Sequence, residues 1–422
     1  MMPAKAMTCG VTGRGLARGM LEVSEPPRIG QKPEISAAPE DYADPEPFCH
    51  TVSGNQFTFY PRGQDRLDAL VGLIDEAQAS LKLFYYMFRA DESGRRVMDA
   101  LERAVARGVN VELLIDSFGS DREVRLFDAF VAAGGRFTLF MARYGTRYLI
   151  RNHQKMAIAD DRAAMIGGFN ITDHYFAPPT QGGWHDMGLK LEGQAVAQLV
   201  RWFGQLAEWA RDRDENFRAI RALVRNWRPD QGPIRLLLGG PTRIPSGWAR
   251  QVKRDIAVAT RLDLVMAYFS PPRSYRRLIA QVAQRGKARL VLAGKSDNNT
   301  TIAASRALYR KLLKAGVEIQ EFMPTKMHTK LLVADDITYV GSANFDMRSL
   351  RLNLELMMRI EDAGLAEKLR AYIDSLVPHS CQITLADHRR HASLWNRLRW
   401  WTGWMLVGVL DYTVARRLNL GP

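Results

Sequence analysis

The sequence predicts an α/β fold made of two duplicated α/β sandwich lobes that pack about a pseudo-twofold axis around one shared site. One observation is the alternation of strand-like and helix-like segments along most of the chain, which is typical of mixed α/β lobes. The other is that the same order of segments occurs twice at a nearly constant offset. Arg285 follows Arg107 by 178 residues, and His328 follows His153 by 175. Because a duplicated lobe tends to pack on its twin about a twofold axis, we expect both copies to face one cleft.

Each copy opens with four segments in the order helix, strand, helix, strand. In the first copy these are LVGLIDEAQ, SLKLFYYMF, GRRVMDALERAVARG and VNVELLIDS. In the second copy they are VKRDIAVATR, LDLVMAYFS, YRRLIAQVAQRG and KARLVLAGKSD. The helical segments place apolar residues at the spacing of one helix face, and the strand segments are short apolar runs. The strand segments are therefore predicted to be buried.

The length of the chain and its Gly- and Pro-rich segments divide it into four parts. Its 422 residues favour two or three domains rather than a single core. Residues 1–50 are rich in Gly, Pro and charge, which predicts a disordered tail, and WRPDQGP at 227–233 has the composition of a linker. We therefore place the first lobe at 51–230, the second lobe at 231–382 and a basic amphipathic segment at 383–422.

The charge and the cysteines restrict the class of protein. A formal net charge of +14 and a pI of about 9.8 predict attraction to polyanions, and both nucleic acid and anionic lipid qualify. The three cysteines, Cys9, Cys49 and Cys381, are far apart in sequence. They indicate neither a disulfide framework nor a zinc cluster, so we expect a reduced, cytoplasmic setting.

The C-terminal stretch WWTGWMLVGVLDYTVA, residues 400–415, is the most apolar part of the chain. It is short for a membrane span and contains Asp411, so a conventional transmembrane helix is not expected. Arginines flank it on both sides, and HRRHASLWNRLR precedes it. Two interpretations remain open: a segment that lies in the membrane interface, with its tryptophans at headgroup depth, or a helix that docks on its own protein.

One short motif occurs once in each copy, as HQKMAIADDRAAMIGGFN from His153 and HTKLLVADDITYVGSANFD from His328. Each has Lys two residues after the His and Asp seven residues after it, which gives Lys155 and Asp160 in the first copy and Lys330 and Asp335 in the second. Because His and Lys alternate with apolar residues, they are predicted to share one face of a strand. Two matches at the offset of a duplication are strong evidence for a functional pair.

Two histidines and two lysines in one cleft suit the chemistry of a phosphodiester. The lysines supply positive charge for the non-bridging oxygens. One imidazole can attack phosphorus while the other protonates the leaving oxygen.

Three further groups of residues recur or stand in matching places. Small-residue turns after each motif place Asn170 in the first copy and Ser342 and Asn344 in the second, where their side chains could donate to phosphate. A carboxylate also follows each motif, Asp186 in the first copy and Glu355 in the second, and each could support an imidazole. Asp160 and Asp335 complete the motifs, although their places at strand ends are more typical of turns.

On these residues the chain resembles the phospholipase D superfamily, whose signature is H-x-K-x4-D occurring twice. It is more closely similar to bacterial cardiolipin synthases of the short type that lacks N-terminal transmembrane helices, with GSANFDMRSLRLNLEL after the second motif among the shared stretches. The resemblance covers about residues 54–380. It implies two phospholipase D-like lobes, one active site, no metal and a phosphohistidine intermediate. It also implies that Asp186 supports His328 and that Glu355 supports His153.

The expected activity is therefore that of a cardiolipin synthase-like phosphatidyltransferase. His153 is expected to attack phosphatidylglycerol and His328 to protonate the departing glycerol, although the two roles could be reversed. We expect a peripheral protein at the cytoplasmic face of the cell membrane, with anionic phospholipid as substrate and no nucleic acid as partner. The alternatives are a phospholipase D hydrolase, a metal-independent nucleic-acid phosphodiesterase and a non-catalytic lipid-binding scaffold. Oligomeric state is left open.

Overall fold

The architecture comes from a computed structural model that describes residues 42–120, 124–140, 151–212, 217–242 and 244–410. Most of the expected tail, residues 1–41, and the end of the C-terminal apolar stretch, residues 411–415, lie outside the described residues. Both predicted lobes and both motifs lie within them.

Eight strands form the sheet of the first lobe, and their bounds follow in chain order. They are β1 (Phe48–Val52), β2 (Asn55–Tyr60), β3 (Ser80–Tyr85), β4 (Asn110–Asp116), β5 (Arg136–Phe140), β6 (Met156–Ala159), β7 (Ala163–Gly167) and β8 (Gly188–Glu192). Their order across the sheet is β1-β2-β8-β7-β6-β3-β4-β5. The β3, β4 and β5 strands are parallel, and the other neighbours are antiparallel.

The second lobe repeats this arrangement. Its strands are β9 (Ile234–Gly239), β10 (Arg261–Met266), β11 (Phe269–Ser270), β12 (Lys287–Ala293), β13 (Glu318–Phe322), β14 (Lys330–Ala334), β15 (Ile337–Gly341), β16 (Phe345–Asp346), β17 (Glu355–Glu361) and β18 (Ser380–Gln382). The large sheet has the order β18-β13-β12-β10-β14-β15-β17-β9, and β11 pairs with β16 separately. Read from β9, the order and directions match those of the first sheet from β2, so the predicted duplication is confirmed.

Helices cover the sheets and connect their strands. They are α1 (Gly63–Glu76), α2 (Glu92–Ala106), α3 (Ser117–Ser120), α4 (Asp128–Ala132), α5 (Val196–Arg211), α6 (Phe217–Asn226), α7 (Gly247–Val258), α8 (Arg273–Arg285), α9 (Asn299–Lys314), α10 (Met347–Arg351), α11 (Ala363–Leu376), α12 (Leu385–His391) and α13 (Leu394–Trp404). A π-helical turn, Met405–Leu410, continues α13. Within the described part of the chain, no helix combines the length and the hydropathy that crossing a bilayer requires.

Local sequence explains where these elements begin and which faces they bury. The side chain of Asp91 accepts a hydrogen bond from the Gly94 N–H and so caps α2, while Asp362 caps α11 in the same way through Leu365. The central strands are buried on both faces, as is usual for strands between two layers of helices. Neighbouring residues of β3 illustrate this, since Leu83 packs in an outer core and Phe84 in the core between the sheets.

Three apolar cores stack across the molecule. One lies between the first sheet and α1 and α2, and another lies between the second sheet and α7, α8 and α9. The third lies between the two sheets and contains residues of both lobes, including Trp202 of α5 and Leu369 of α11. The two lobes therefore share a continuous core, and their relative position is fixed by apolar burial.

Two short backbone bridges cross from one lobe to the other beside this shared core. In one, the His153 N–H donates to the Leu354 carbonyl at 2.9 Å, and the Leu354 N–H donates to the Arg151 carbonyl at 3.0 Å. In the other, the His185 N–H donates to the Lys326 carbonyl at 2.9 Å, and the His328 N–H donates to the His185 carbonyl at 2.7 Å. Each bridge joins the start of one motif to the segment before the other lobe's carboxylate.

The structure confirms the eight predicted helix and strand segments, because α1, β3, α2 and β4 and then α7, β10, α8 and β12 occupy them. It corrects the extent of the predicted tail. Tyr42 and Asp44 are buried, and β1 pairs with β2 from Phe48 onwards. This part of the predicted tail belongs to the fold because its side chains fill a buried space at the lobe interface and form hydrogen bonds there, as Asp44 does with His185. Composition alone does not reveal such contacts.

Asp160 and Asp335, which we predicted as members of the catalytic motif, hold turns instead. Asp160 follows β6 and accepts hydrogen bonds from the backbone N–H groups of residues 78–80, at 2.7 to 2.8 Å. Asp335 follows β14 and binds Thr260 and Arg261 in the same manner. Both have positive φ, 51° and 46°, a region that Asp tolerates better than most residues. A strand rises about 3.3 Å per residue, so each carboxylate lies roughly 16 Å beyond its lysine.

We expect Asp160→Asn to lower the free energy of unfolding by about 1–2 kcal/mol, measured by urea denaturation at pH 7, because charge-assisted hydrogen bonds to three N–H groups become weaker or are lost. Burial alone raises the pKa of Asp160, but the N–H donors bring it below its ordinary value overall. A carboxylate with a depressed folded-state pKa stabilises the fold above its unfolded pKa and loses that effect as the pH falls. The difference between the two proteins should therefore shrink below about pH 4.

Asp161→Asn is the matched control, since Asp161 lies in the same turn, has positive φ, and forms an exposed ion pair with Lys82. Equal losses for the two variants would contradict the turn-holding role of Asp160.

Candidate active site

The two motif histidines and lysines lie where β6 and β14 begin. His153 and Lys155 precede β6, and His328 precedes β14, which starts at Lys330. The strands begin slightly later than predicted: β6 starts one residue after Lys155, and β14 starts at Lys330, so both histidines lie just before their strands. The backbone bridges between the lobes pair the residues just before these strands, and this pairing fixes the backbone at the start of each motif.

Each histidine is paired with the carboxylate of the other lobe. Nδ1 of His153 lies 3.3 Å from Glu355, and Nδ1 of His328 lies 2.7 Å from Asp186. With Nδ1 bound to a carboxylate, Nε2 of each ring is the nitrogen that remains for chemistry. The structure thus brings together the pairs that the resemblance implied, Glu355 with His153 and Asp186 with His328.

Both lysines are buried beside these rings. Nζ of Lys155 donates to the His153 carbonyl at 2.5 Å, and Nζ of Lys330 lies 2.7 Å from Nδ1 of His328 and also contacts the His328 carbonyl. Lys330 reaches across to the first lobe, because a Cβ on Gly168 would lie 2.8 Å from its Cδ. The four residues and both carboxylates therefore form one cluster at the junction of the lobes.

The buried charges control the protonation of this cluster. Burial, together with the cation of Lys155, lowers the pKa of His153 to about 4, against the opposing effect of Glu355. Burial and the cation of Lys330 lower the pKa of His328 to about 4 as well. Burial also lowers the pKa of Lys155 to about 7 and that of Lys330 to about 8.

Both carboxylates remain ionised in this setting. Burial by itself raises the pKa of Asp186, but Lys330 and His328 bring it below its ordinary value. Burial acts on Glu355 in the same direction and is outweighed by His153, Lys155 and the hydroxyl of Ser342. At neutral pH the cluster therefore has two carboxylates, two neutral imidazoles and two lysines of reduced basicity.

The family of the protein follows from comparison with known sequences. The family described as "Cardiolipin synthase, PLD-like domain" matches the chain over residues 70–207 and again over 253–377. The chain belongs to this family. The predicted phospholipase D-type assignment is thus confirmed, and the two matched segments are the two lobes that contain the crossed pairs.

Individual relatives agree with this assignment. Cardiolipin synthase 1 of Staphylococcus aureus is 30% identical over 354 residues, which cover 79% of this chain and 69% of that protein. Cardiolipin synthase of Listeria monocytogenes is 30% identical over 362 residues, covering 82% and 73%. The crystal structure of phosphatidylserine synthase from Haemophilus influenzae has the same fold, with a TM-score of 0.71 at 13% identity over 85% of this chain and 94% of that one.

The turns after the two motifs differ in this cardiolipin synthase family member, and the structure shows why. In the second lobe, the single O–H of Ser342 donates to Glu355 at 2.5 Å. A hydroxyl has one proton to donate, so the contact of Ser342 with phosphate, which stays a prediction, requires Ser342 to release Glu355. In the first lobe, Gly168 stands at the matching position, and a Cβ there would lie 2.9 Å from Asp186 Oδ1. The space that Ser342 occupies in one lobe is filled by Lys330 and Asp186 in the other.

The two predicted amides also differ. Asn170 accepts a hydrogen bond from the Met87 N–H at 3.2 Å and donates to the Tyr175 hydroxyl at 3.1 Å, so its side chain holds neighbouring segments in place. Asn344 is buried, and its Oδ1 has no partner among the described residues. Of the two, Asn344 is the better placed to interact with a ligand, and Asn170 serves mainly to position the wall of the cleft.

Aromatic rings surround the two histidines unequally. The ring of Tyr86 lies 5.4 Å from that of His153, and Nζ of Lys155 lies 5.2 Å from the Tyr86 centroid. Tyr175 and Trp184 lie 5.0 and 5.7 Å from His328. These rings exclude water from the imidazoles, which strengthens the electrostatic interactions within the cluster.

Sequence reasoning missed several residues that hold the site. Arg66 is fully buried on α1 and donates to the Asp186 carbonyl at 2.7 Å and to the Tyr175 carbonyl. Asp116, at the end of β4, accepts from the Asn152 N–H at 2.9 Å, and burial raises its pKa to about 7. A charged residue on an otherwise apolar helix face, and an Asp closing a buried strand, are the signals that could have identified them.

A buried network also supports the first carboxylate. Nδ1 of His185, the neighbour of Asp186, lies 2.6 Å from Asp44, and its Nε2 lies 2.7 Å from the Tyr372 hydroxyl. His185 therefore joins three segments that are far apart in the chain. Among the residues that the structure describes, no group of three or more His, Cys, Asp or Glu is placed to hold a metal ion.

We expect Gly168→Ala to lower kcat by roughly a hundredfold, because the new methyl group would displace Lys330 and Asp186 from the positions they need. The measurement is the steady-state rate of phosphatidyl transfer in mixed phospholipid micelles. Gly72→Ala on α1 is the control, since nothing lies within 4 Å of its Cβ position. A Gly168→Ala protein with unchanged kcat would show that the close contact with Lys330 is dispensable.

Proposed function

We propose that this protein makes cardiolipin by moving a phosphatidyl group from one phosphatidylglycerol to a second phospholipid headgroup, with release of glycerol. The observation that carries the proposal is the crossed arrangement of His153 with Glu355 and of His328 with Asp186 around two buried lysines. The family and its cardiolipin synthase relatives support the choice of substrate.

In the first step, Nε2 of His153 attacks the phosphorus of phosphatidylglycerol. The N–P bond forms, the bond from phosphorus to the glycerol oxygen breaks, and His328 gives that oxygen a proton. The product is a phosphatidyl group bound to His153, together with free glycerol. In the second step, the neutral His328 takes the proton of the acceptor hydroxyl, whose oxygen attacks phosphorus and releases His153.

The surroundings of the rings favour this division of roles. Nδ1 of His328 lies 2.7 Å from Asp186, and the carboxylate of Asp297 also favours the protonated ring, against the opposing effects of burial and of Lys330. His153 lies further from its carboxylate, at 3.3 Å, and its side chain is more exposed, 15% against 6%. A nucleophile needs access and an acid needs a stabilised proton, which supports His153 in the first role and His328 in the second.

Substrate binding favours the protonation of His328 by solvent that the first step needs. In the free protein both imidazoles are neutral above about pH 4 because burial and the lysine cations disfavour a further positive charge. A phosphodiester adds one negative charge to this buried cluster, which raises the pKa of the imidazoles beside it. Lys155 and Lys330 then hold the non-bridging oxygens and stabilise the charge that grows in the transition state.

The membrane setting belongs to the same proposal. We propose that the protein acts as a peripheral protein on the cytoplasmic face of an anionic membrane, because its substrates reside in a bilayer and its net charge is +14. Nucleic acid is not a proposed substrate.

The test is lipid product analysis by mass spectrometry, with purified protein on phosphatidylglycerol vesicles in EDTA. We expect cardiolipin and glycerol from the wild-type protein, and losses of at least roughly a thousandfold for His153→Ala and His328→Ala, since each removes a group that bonds to phosphorus or moves a proton. His379→Ala is the matched control because His379 is exposed and outside the cluster.

The other possible products contradict the transferase in different ways. Phosphatidic acid as the main product would make the protein a phospholipase D hydrolase, with water as acceptor. No lipid turnover, combined with steeply salt-dependent cleavage of DNA, would make it a nucleic-acid phosphodiesterase. A protein without turnover of either substrate would be a binding scaffold.

We also expect a bell-shaped dependence of rate on pH, because His153 must be neutral to attack phosphorus and both lysines must be cationic to hold the phosphoryl oxygens. The acid side falls towards pH 4, where His153 gains a proton, and the alkaline side falls from about pH 7 to 8, where Lys155 and Lys330 lose theirs. The profile is measured on micellar substrate between pH 4 and 10. A rate that rises steadily from pH 5 to 9 would contradict the assigned roles.

A further inference from the structure

A second surface with a distinct character lies at the C-terminal end of the described chain. It comprises α13 and the start of the π-helical turn, and we call it the α13 surface. Its outward side chains are large, apolar and exposed: Leu394 (86%), Trp395 (78%), Leu398 (48%), Trp401 (54%) and Leu406 (52%). The spacing of the first four places them on one face of the helix. Half of the large apolar side chains that are exposed in the described residues lie in this short stretch.

The opposite face of α13 is docked on the second lobe, so the outward face cannot turn inward. Gly403 packs so closely against α9 that a Cβ there would lie 2.9 Å from the Cβ of Ala303. Trp400 is buried, and its ring stacks on His388 of α12 at 4.8 Å. The helix is therefore apolar on two sides, and only one of them is covered by its own protein.

A basic groove lies beside the outward face, between α9, α12 and α13, with a volume of about 580 Å³. Five of the residues that line it are basic, and no acidic residue lines it: Arg276, Arg310, Lys311, Arg389 and Arg397. None of the five takes part in an ion pair with another described residue. The remaining lining includes three tryptophans, Trp400, Trp401 and Trp404.

Two buried donors in this groove have no acceptor among the described residues. They are Nε1 of Trp400 and Nε of Arg276. Both side chains line the groove, and a phosphate group matches the positive charge of the groove.

We infer that the α13 surface docks the protein on an anionic bilayer. Its outward leucines and tryptophans enter the interfacial layer, and the basic groove takes the headgroup phosphate of an anionic phospholipid. A second copy of this chain fits less well, because two such surfaces would bring their unpaired arginines together. This inference resolves the two interpretations of the sequence: the helix docks on its own protein through one face and meets lipid through the other.

The inference rests on the proposed function only in that both need a membrane, and the experiment separates them. Wild-type protein and variants are sedimented with vesicles of phosphatidylcholine containing 30% phosphatidylglycerol and with vesicles of phosphatidylcholine alone. We expect Trp395→Ser/Trp401→Ser to weaken binding to the first vesicles by roughly tenfold or more, because two interfacial side chains are lost. We expect Arg310→Gln/Lys311→Gln to remove most of the preference for the anionic vesicles.

Matched controls come from the same chain. Val258→Ser removes an apolar side chain that is 76% exposed at the end of α7, and Arg254→Gln removes an exposed charge on that helix. Both should bind vesicles as the wild type does. His328→Ala should also bind vesicles fully while forming no cardiolipin, so that loss of docking and loss of chemistry are read independently.

Three results would overturn the inference. One is vesicle binding by the α13 variants equal to that of the wild type. Another is equal weakening by the Val258 and Arg254 controls. The third is a change of the wild type's oligomeric state when Trp395 and Trp401 are replaced, measured by light scattering without lipid, which would make the surface a contact between copies. If the wild type binds vesicles through this surface but forms no cardiolipin, the docking inference holds and the proposed function fails.

Discussion

The pair of backbone bridges between the lobes is the constraint on which the site depends. One bridge joins the residue before His153 to the residue before Glu355, and the other joins the residue before His328 to His185, the neighbour of Asp186. In each bridge the backbone next to the imidazole is hydrogen-bonded to the backbone next to the carboxylate of the other lobe. Each imidazole is therefore held at a fixed distance from that carboxylate. The continuous apolar core between the sheets holds the lobes together and so keeps both bridges closed.

Near-symmetry of the fold does not make the two halves of the site equivalent. The first lobe combines a small residue, Gly168, with the shorter acid, Asp186, while the second combines Ser342 with the longer acid, Glu355. Lys330 fills the space that Gly168 leaves, whereas Ser342 fixes its own carboxylate through a hydrogen bond. A reaction in two steps needs one imidazole as nucleophile and the other as acid and then base, and these small differences give each ring its own surroundings.

The buried charge of the cluster links binding to catalysis. Two lysines and two imidazoles held away from water by aromatic rings are stable only because Asp186 and Glu355 lie beside them, and even so the pKa values of the lysines and histidines are lowered. The negative charge of a phosphodiester favours the protonated forms of these four groups, so substrate binding opposes the effect of burial on their pKa values. The α13 surface lies on the second lobe, where Gly403 packs closely on α9.

The sequence by itself determined the duplication, the order of the strands and helices, and the residues of the two motifs, because these depend on local periodicity and on residue identity at fixed spacing. It placed Asp160 and Asp335 at strand ends, but it did not decide which segments they hold, that Ser342 donates to Glu355, or that residues 42–50 belong to the fold. Those facts depend on contacts between segments far apart in the chain, such as Asp44 with His185. Tertiary structure likewise decided which face of α13 is buried. Periodicity shows that a helix has apolar residues on two faces, but it does not show which face its own protein covers.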